Sequence, residues 1–357
     1  MSRQTQAIIH ADAIIRNFKA LRELAPDSKA MAVVKADAYG HGAASIARML
    51  RDQADAFAVA IIEEAIKLRE EGVDAPIIVL EGPHQPKDCL VAAEQALTLV
   101  LHHAQQFEWV ADYTSDNPPA LWLKVDTGMH RLGVHPDEVS GLLEQYQALI
   151  RPGMVLVTHM ACADELDNPL TREQIQKIQQ LAVSTGLPLS IANSPATIAW
   201  QDAHSAWNRL GLAMYGCNPV DRDTGLALSP AMTLRASVIA LRDIPAGQSV
   251  GYGQVWTASR PSRIATIGIG YADGYPRHCP SGTPVLVNQQ RAPLAGRVSM
   301  DMLSVDVTDL PEVKIGDKVE LWGQNLAVDE IARYAGTVSY ELVTRVSLRV
   351  PRVVKYL

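Results

Sequence analysis

Short, mainly apolar runs rich in Val, Ile and Leu, without strict alternation, recur through the amino-terminal part of the chain. They are Ala30 to Val34, Ala56 to Ile62, Ile77 to Leu80, Leu97 to Leu101, Leu121 to Val125, Met154 to Val157, Leu187 to Ala192 and Trp207 to Leu210. Between them lie segments with apolar positions three and four apart, the spacing of an amphipathic helix, notably Glu63 to Glu71, Asp137 to Leu149 and Thr171 to Thr185. Asp137 or Asn168 stands near the starts of such segments, and Gly72 or Gly186 just past their ends. A further amphipathic helix precedes the series, near Ala11 to Leu24. A strand that is apolar throughout is buried on both faces, which is the condition of a parallel sheet covered by helices. Eight such strands alternating with helices predict an α/β fold, a (β/α)8 TIM-type barrel over residues 1–228.

The pattern changes near Leu228. Beyond it come alternating strands separated by turn residues: Thr233 to Leu241, Arg263 to Gly270, Pro284 to Val287, Met302 to Val307, Lys318 to Trp322 and Tyr340 to Tyr356. Pro245-Ala246-Gly247, Pro280-Ser281-Gly282 and Gly316-Asp317 punctuate them, and one helix, Val328 to Tyr334, interrupts. Residues 229–357 therefore read as a second, mainly β domain, with the boundary near Gly225 to Pro230.

Composition narrows the function classes. The 357 residues are 48% hydrophobic, enough for a large core, and carry a net charge of −7 with no basic stripe. Neither nucleic acid nor an anionic membrane is an expected partner. No apolar run reaches the length of a membrane span, and Met1 to His10 lacks the apolar region of a secretory signal, so a cytoplasmic location is expected. Cys89, Cys162, Cys217 and Cys279 are too far apart for paired metal-ligand spacing or a disulfide scaffold, so they read as four reduced thiols with no metal site.

Barrel active sites lie at the carboxyl ends of the strands, which directs attention to polar residues that follow the apolar runs. Lys35 ends the first run and leads into Ala36-Asp37-Ala38-Tyr39-Gly40-His41-Gly42. Burial of a lysine disfavours the ammonium and lowers its pKa, as Schiff-base chemistry requires. The alternative is an ordinary strand-end lysine paired to Asp37. Lys124 and Asp126 end the fifth run, His159 the sixth, Asn193 and Ser194 the seventh, and Arg209 the eighth. Loops after the last two strands of a barrel commonly hold phosphate, and Asn193-Ser194-Pro195-Ala196 with Gly211-Leu212 offers a hydroxyl and backbone donors; a simple helix cap at Ser194 is the other reading. A reactive lysine beside a phosphate site points to pyridoxal phosphate.

At this point the residues resemble a family. AVVKADAYGHG at 32–42, LKVDTGMHRLGV at 123–134, THMACAD at 158–164, NSPAT at 193–197 and RLGLAMYG at 209–216 occur in the barrel part. VGYG at 250–253, IGYADGYPR at 269–277, GRVSMDM at 296–302 and SYELVTRVSLRVPR at 339–352 follow in the second part. In this order and spacing they resemble the bacterial alanine racemases, fold-type III pyridoxal 5'-phosphate enzymes, over nearly the whole chain. The resemblance implies that Lys35 carries the cofactor as a Schiff base and is one of two proton-transfer bases. Tyr39, Ser194, Gly211, Leu212 and Tyr340 would contact the phosphate, with Asn193 beside them; Arg209 would face the pyridine nitrogen and His159 the cofactor ring. Tyr252 would be the second base, supplied by the other subunit of a homodimer, with Tyr271, Met300 and Asp301 lining the same shared site. Arg131 would anchor the substrate carboxylate, and Lys124 matches a lysine that the family carries as a carbamate. Substrate and product would be L-alanine and D-alanine, the latter for peptidoglycan precursors or drawn from it in alanine breakdown. Ser299 stands where the family often has cysteine.

Physical reasoning supports three of these roles: the paired bases, the Lys124 carbamate and the place of Arg209. Racemisation removes a proton from one face of a carbon and returns one to the other, so two bases must flank it. A phenol near its ordinary pKa of about 10 needs cationic neighbours to serve, and His159 and Arg209 are candidates. Lys124, near Arg131, sits in cationic surroundings where a carbamate is favoured over an ammonium, the alternative being a salt bridge with Asp126. Arginine opposite the pyridine nitrogen cannot surrender its proton, which leaves the ring a weaker electron sink and favours reprotonation over transamination. Three other readings are a cofactor-carrying homeostasis protein, a fold-type III amino-acid decarboxylase and a cofactor-free Schiff-base aldolase. The first lacks the β domain, and the second is longer and has a catalytic cysteine pattern not found here.

Overall fold

A computed structural model describes residues 3–112, 118–220, 222–310 and 312–356. Its first strand, β1 (Gln6–His10), runs directly into helix α1 (Ala11–Glu23). Eight parallel strands follow: β2 (Lys29–Val33), β3 (Ala56–Val59), β4 (Ile77–Val79), β5 (Leu97–Leu101), β6 (Ala120–Lys124), β7 (Leu156–Val157), β8 (Leu189–Ser190) and β9 (Trp207–Leu210). They are hydrogen-bonded in sequence from β2 to β8, and β9 pairs with β2. Closure is completed by Arg209, whose backbone N–H donates to Ala192 O at 2.9 Å and whose guanidinium donates to Ser190 O at 2.9 Å. The (β/α)8 barrel expected from the apolar runs is thus present, each run overlapping one strand.

The connecting helices bury one stripe each. In α1, Ala11, Ile14, Phe18 and Leu21 lie against the barrel while Arg16, Lys19 and Glu23 point away. Complete burial of a side chain such as Phe18 contributes about 2–3 kcal/mol. Between β2 and β3 the chain forms α2 (Lys35–Gly40) and α3 (Ala43–Leu50); α4 (Ile62–Glu70), α5 (Lys87–Glu94), α6 (Ala104–Asp112) and α7 (Val139–Gln145) follow their strands in turn. The long α8 (Leu170–Thr185) ends at Gly186, whose positive φ closes it, and the short α9 (Ser194–Ala199) precedes β9.

The second sheet is organised on β10 (Met232–Ile244), a 13-residue strand. A bulge between Val238 and Ala240 divides it: its first half pairs with β1 and a later strand, Lys318–Trp322, and its second half with Ser262–Ile267. The short pair Ser249–Val250 and Trp256–Thr257 brackets Tyr252, and Pro284–Val287, Gln290–Pro293 and Leu303–Asp306 complete the antiparallel part. Helix α10 (Val328–Ala335) covers it. The strand Gln6–His10 at the chain's start belongs to this sheet and not to the barrel.

One expected strand is not found. Over Tyr340 to Tyr356 the chain forms α11 (Ser339–Thr344), a loop, and only then the strand Arg352–Lys355, parallel to β1. Leu342, Val343 and Val346 are spaced for a helix face, and all three are buried. The apolar positions further on belong to a separate element beyond Pro351.

Candidate active site

A cavity of about 540 Å³ opens at the carboxyl ends of the barrel strands. Lys35, Tyr39, Lys124, Arg131, His159, Asn193, Ser194, Arg209, Gly211, Leu212 and Tyr340 all line it. Eleven residues singled out from sequence therefore meet in one place. Tyr252, Tyr271, Met300 and Asp301 do not line it; they belong to the second unit, where Tyr271 N donates to Ser299 O and Ala272 N to Met300 O. Tyr252 is 71% exposed and Met300 53%.

Lys35 opens α2 and is followed by four consecutive left-handed residues, Ala36, Asp37, Ala38 and Tyr39, with φ from 51° to 53°. Non-glycine residues adopt this conformation at a cost of about 1–2 kcal/mol each, so the surroundings must hold the turn in place. They do so at both ends. Glu64 accepts the N–H of Ala36 at 2.6 Å, and Asp37 accepts that of Ala43 at 2.9 Å. Asp37 is thus spent on the backbone and does not pair with Lys35. His41, fully buried, turns Nδ1 to the carbonyls of Ala38 and Tyr39, both at 3.0 Å, which makes Nδ1 the protonated nitrogen. Burial, against those two carbonyls, pushes its pKa down to about 4. Its ring stacks on Tyr215 at 4.5 Å, and Tyr215 lies 5.0 Å from Tyr39. His41 and Tyr215 are site-building residues that the sequence reading missed, although each stood inside one of the motifs, 32–42 and 209–216.

Helix α11 packs against this turn. Arg352 Nε donates to Gly40 O at 3.0 Å, and a Cβ on Gly40 would collide with the Val343 carbonyl oxygen. The same packing brings Tyr340 to within 6.1 Å of the Tyr39 ring. Burial raises both phenols' pKa values, so both are proton donors near neutrality.

On the other side of the cavity Asn193, not Ser194, caps α9, its side chain accepting Ala196 N–H at 3.2 Å. Ser194 Oγ is thereby free to accept Gly211 N–H at 2.8 Å. A Cβ on Gly211 would stand 3.0 Å from Tyr39 Oη and 3.6 Å from Ser194 Oγ, so glycine is what lets the backbone approach the two hydroxyls. Arg209, on β9, reaches across to the ends of β7 and β8, its guanidinium donating to Ser190 O, Ser190 Oγ, Thr158 O and Ile191 O at 2.8–3.1 Å, with His159 Nδ1 at 3.5 Å. Burial alone lowers its pKa to about 10, which leaves it charged near neutrality.

Cationic crowding dominates the electrostatics. Burial first, then Arg131 and Arg209, depress Lys35, while Glu81 and Glu64 oppose them. Lys124 is pushed down to about 7 by burial and then by Arg209, Arg131 and Lys35. The same groups, after burial, hold His159 well below the usual range. Asp126 gives Lys124 little compensation, because its carboxylate is taken up by the loop that carries Arg131. Oδ1 accepts the N–H groups of Gly128, Met129 and His130 at 2.9–3.0 Å, and Oδ2 faces His130 Nδ1 at 3.1 Å. Burial raises the Asp126 carboxyl, but these donors outweigh it and hold it below the carboxylate range.

A barrel with a depressed lysine at the end of its first strand, an anion-accepting set of hydroxyls and a buried arginine, joined to a β domain, defines a lysine-centred barrel enzyme of two units. The profile of the alanine racemase amino-terminal domain matches residues 9–219 and that of the carboxy-terminal domain residues 231–354. The chain belongs to the alanine racemase family, an isomerase family. It is 55% identical over 358 residues to the alanine racemase of Alteromonas mediterranea, with all of both chains covered. Among solved structures it is similar to the biosynthetic alanine racemase of Pseudomonas aeruginosa, with TM-score 0.95, 45% identity and 99% of each chain covered. It is similar also to the alanine racemase of Acinetobacter baumannii, with TM-score 0.91, 36% identity and 99% and 100% covered. Among the described residues no helix is long and apolar enough to cross a membrane, and all four cysteines are free.

Proposed function

We propose that the chain interconverts L-alanine and D-alanine with pyridoxal 5'-phosphate as cofactor, as a homodimer in which each site draws residues from both subunits. The observation that carries this reading is the convergence of Lys35, Lys124, Arg131, His159, Ser194, Arg209 and Gly211 on one barrel-end cavity in a chain of this family. The residues present fit the cofactor: Tyr39, Tyr340, Ser194 and the N–H of Leu212 would form a donor set for its phosphate, with the Gly211 N–H holding Ser194 Oγ and Asn193 fixing the turn. Arg209 would face its ring nitrogen and His159 its ring. When bound, the group supplies an aldehyde that condenses with primary amines and a ring that accepts the electron pair released at the α carbon.

The chain's own residues move the protons. Lys35 Nζ, held below its ordinary pKa, takes or returns the proton on one face of the α carbon. Tyr252 Oη of the partner copy serves the opposite face, and its exposure in one chain supports a role completed by a second. Tyr271, Met300 and Asp301 accompany it, Asp301 being held by Arg349 Nη2 at 2.6 Å. Arg131 binds the substrate carboxylate. A lysine with its pKa lowered to about 7 is about half neutral amine near neutrality, and this form adds to carbon dioxide and releases a proton; the Lys124 carbamate so formed orients Arg131. Residues 1–228 hold the cofactor and 229–357 supply the second base, with the strand Gln6–His10 lent to the second sheet. Free cysteines accord with work in the cytoplasm.

The test is direct. Purified protein with added pyridoxal phosphate should abolish the optical rotation of L-alanine and show visible absorbance that borohydride bleaches. Persistent rotation with the absorbance present overturns the racemase reading.

A further inference from the structure

We propose that Gln174 is a positioning residue that locks the loop carrying Arg131 to the strand end carrying His159, so that the carboxylate anchor and the cofactor-facing imidazole hold one fixed relation. The proposal rests on the roles given above to Arg131 and His159.

Gln174 lies on the barrel-facing side of α8 and is fully buried. A buried amide is costly unless its groups are paired, and this one is paired wholly outside its own helix. Nε2 donates to Thr127 Oγ1 at 3.1 Å and to His159 O at 3.0 Å, while Oε1 accepts Ala161 N–H at 2.9 Å. The orientation of the amide is fixed by its partners, because an N–H can only donate and a carbonyl only accept. Thr127 opens the loop that Asp126 shapes and Arg131 ends. Its hydroxyl also stands 2.7 Å from Thr158 Oγ1, and the Thr158 carbonyl receives Arg209 Nη2 at 2.8 Å. One side chain therefore joins the ends of β6 and β7, and through Thr158 reaches Arg209. Lys177, one turn along the same helix, adds a bond to Thr127 O at 3.4 Å. The Thr127–Thr158 hydroxyl pair is a second link between the same two segments, and Gln174 is the side chain that bonds both Thr127 and the backbone on either side of Met160.

Losing this brace frees the loop while leaving the proton-moving groups in place. Carboxylate binding is then weakened in the ground state and the transition state alike, which raises KM and spares kcat. Replacement of Gln174 by methionine, similar in length but without hydrogen-bonding groups, is the test, assayed well below the melting temperature of the variant. Gln174→Met should raise KM for alanine about tenfold with kcat changed less than about threefold. Thr127→Val, which removes the bond to Gln174 and the Thr158 contact together, should also raise KM, and the double variant should fall short of the sum of the two, since the Gln174–Thr127 bond is lost in both. A lowered melting temperature with KM unchanged in both single variants overturns the proposal and leaves Gln174 a packing residue. Should Gln174→Met fail to fold, Thr127→Val decides by the same KM criterion. Arg131→Lys is run beside them: if it leaves KM unchanged, the reading of Arg131 fails, and the brace falls with it for that distinguishable reason.

Discussion

Lys124 shows how far the barrel end departs from an ordinary protein surface. Its amine loses water to burial and faces Arg209, Arg131 and Lys35, which together bring its pKa to about 7. In the unfolded chain the same amine keeps its proton to about pH 10.4. Between those values the unfolded state binds more protons than the folded one, so stability rises with pH across this window, by up to about 1.4 kcal/mol per unit at its steepest. Below pH 7 both states are protonated and the dependence ends. Lys124→Met should abolish this part of the slope in denaturant titrations between pH 7 and 10 in buffer freed of carbon dioxide; identical slopes for the two proteins would show that Lys124 is not depressed. Returning labelled bicarbonate to the wild type should produce a carbon-13 carbamate signal that Lys124→Met lacks.

At the scale of elements, the least ordinary feature is the left-handed turn from Ala36 to Tyr39, held between Glu64, Asp37, His41 and α11. Its tightness can be tested with two neighbouring glycines of positive φ. Gly40→Ala places a Cβ into the Val343 carbonyl, whereas at Gly42 nothing lies within 4 Å and only the conformational penalty applies. Gly42→Ala should cost about 1 kcal/mol and Gly40→Ala more than about 3, with reduced activity, in thermal or denaturant unfolding. Equal costs would mean that α11 does not clamp the turn. The barrel strands, α1 and α8 were legible in the sequence because their burial is uniform or helical in period, and such patterns are local. The left-handed turn was not, since Ala36, Asp37, Ala38 and Tyr39 are residues that avoid this conformation and adopt it only under tertiary constraint. Strand β1 was missed because Ala7, Ile8 and Ile9 run straight into the apolar face of α1, and α11 was absorbed into a strand because its apolar residues sit close to those of the strand after it. Among site residues, lysine, arginine and tyrosine announced themselves at strand ends and in motifs. Gln174 did not, for its partners lie 13, 15 and 47 positions away.

The molecule is two units joined by exchange. The chain begins in the second sheet, enters the barrel, returns, and sends α11 back to the cavity, so the site and the interface between units are built from the same contacts. The amino terminus is tied down by Arg3, which donates to Asp273 Oδ1 at 2.7 Å, while Arg349 Nε reaches the same carboxylate at 2.9 Å. Asp273 is fully buried directly beneath Tyr271. Asp273 is buried but both arginines are partly exposed, so removing its charge costs about 1–3 kcal/mol, and Asp273→Asn should lower the midpoint of unfolding and, by loosening the Tyr271 turn, reduce activity in the folded protein. A midpoint within error of the wild type would show the cluster to be solvated in solution.

The shared site is the central claim, and subunit mixing tests it most directly. Lys35→Ala and Tyr252→Phe proteins, each inactive or nearly so alone, are unfolded together, refolded and assayed for racemisation of alanine. A hybrid dimer holds one site with both substitutions and one with neither, so random pairing should recover about a quarter of the wild-type activity. Recovery of none, with hybrid dimers demonstrated by mass, would contradict an arrangement in which the lysine and the phenol of one site come from different subunits.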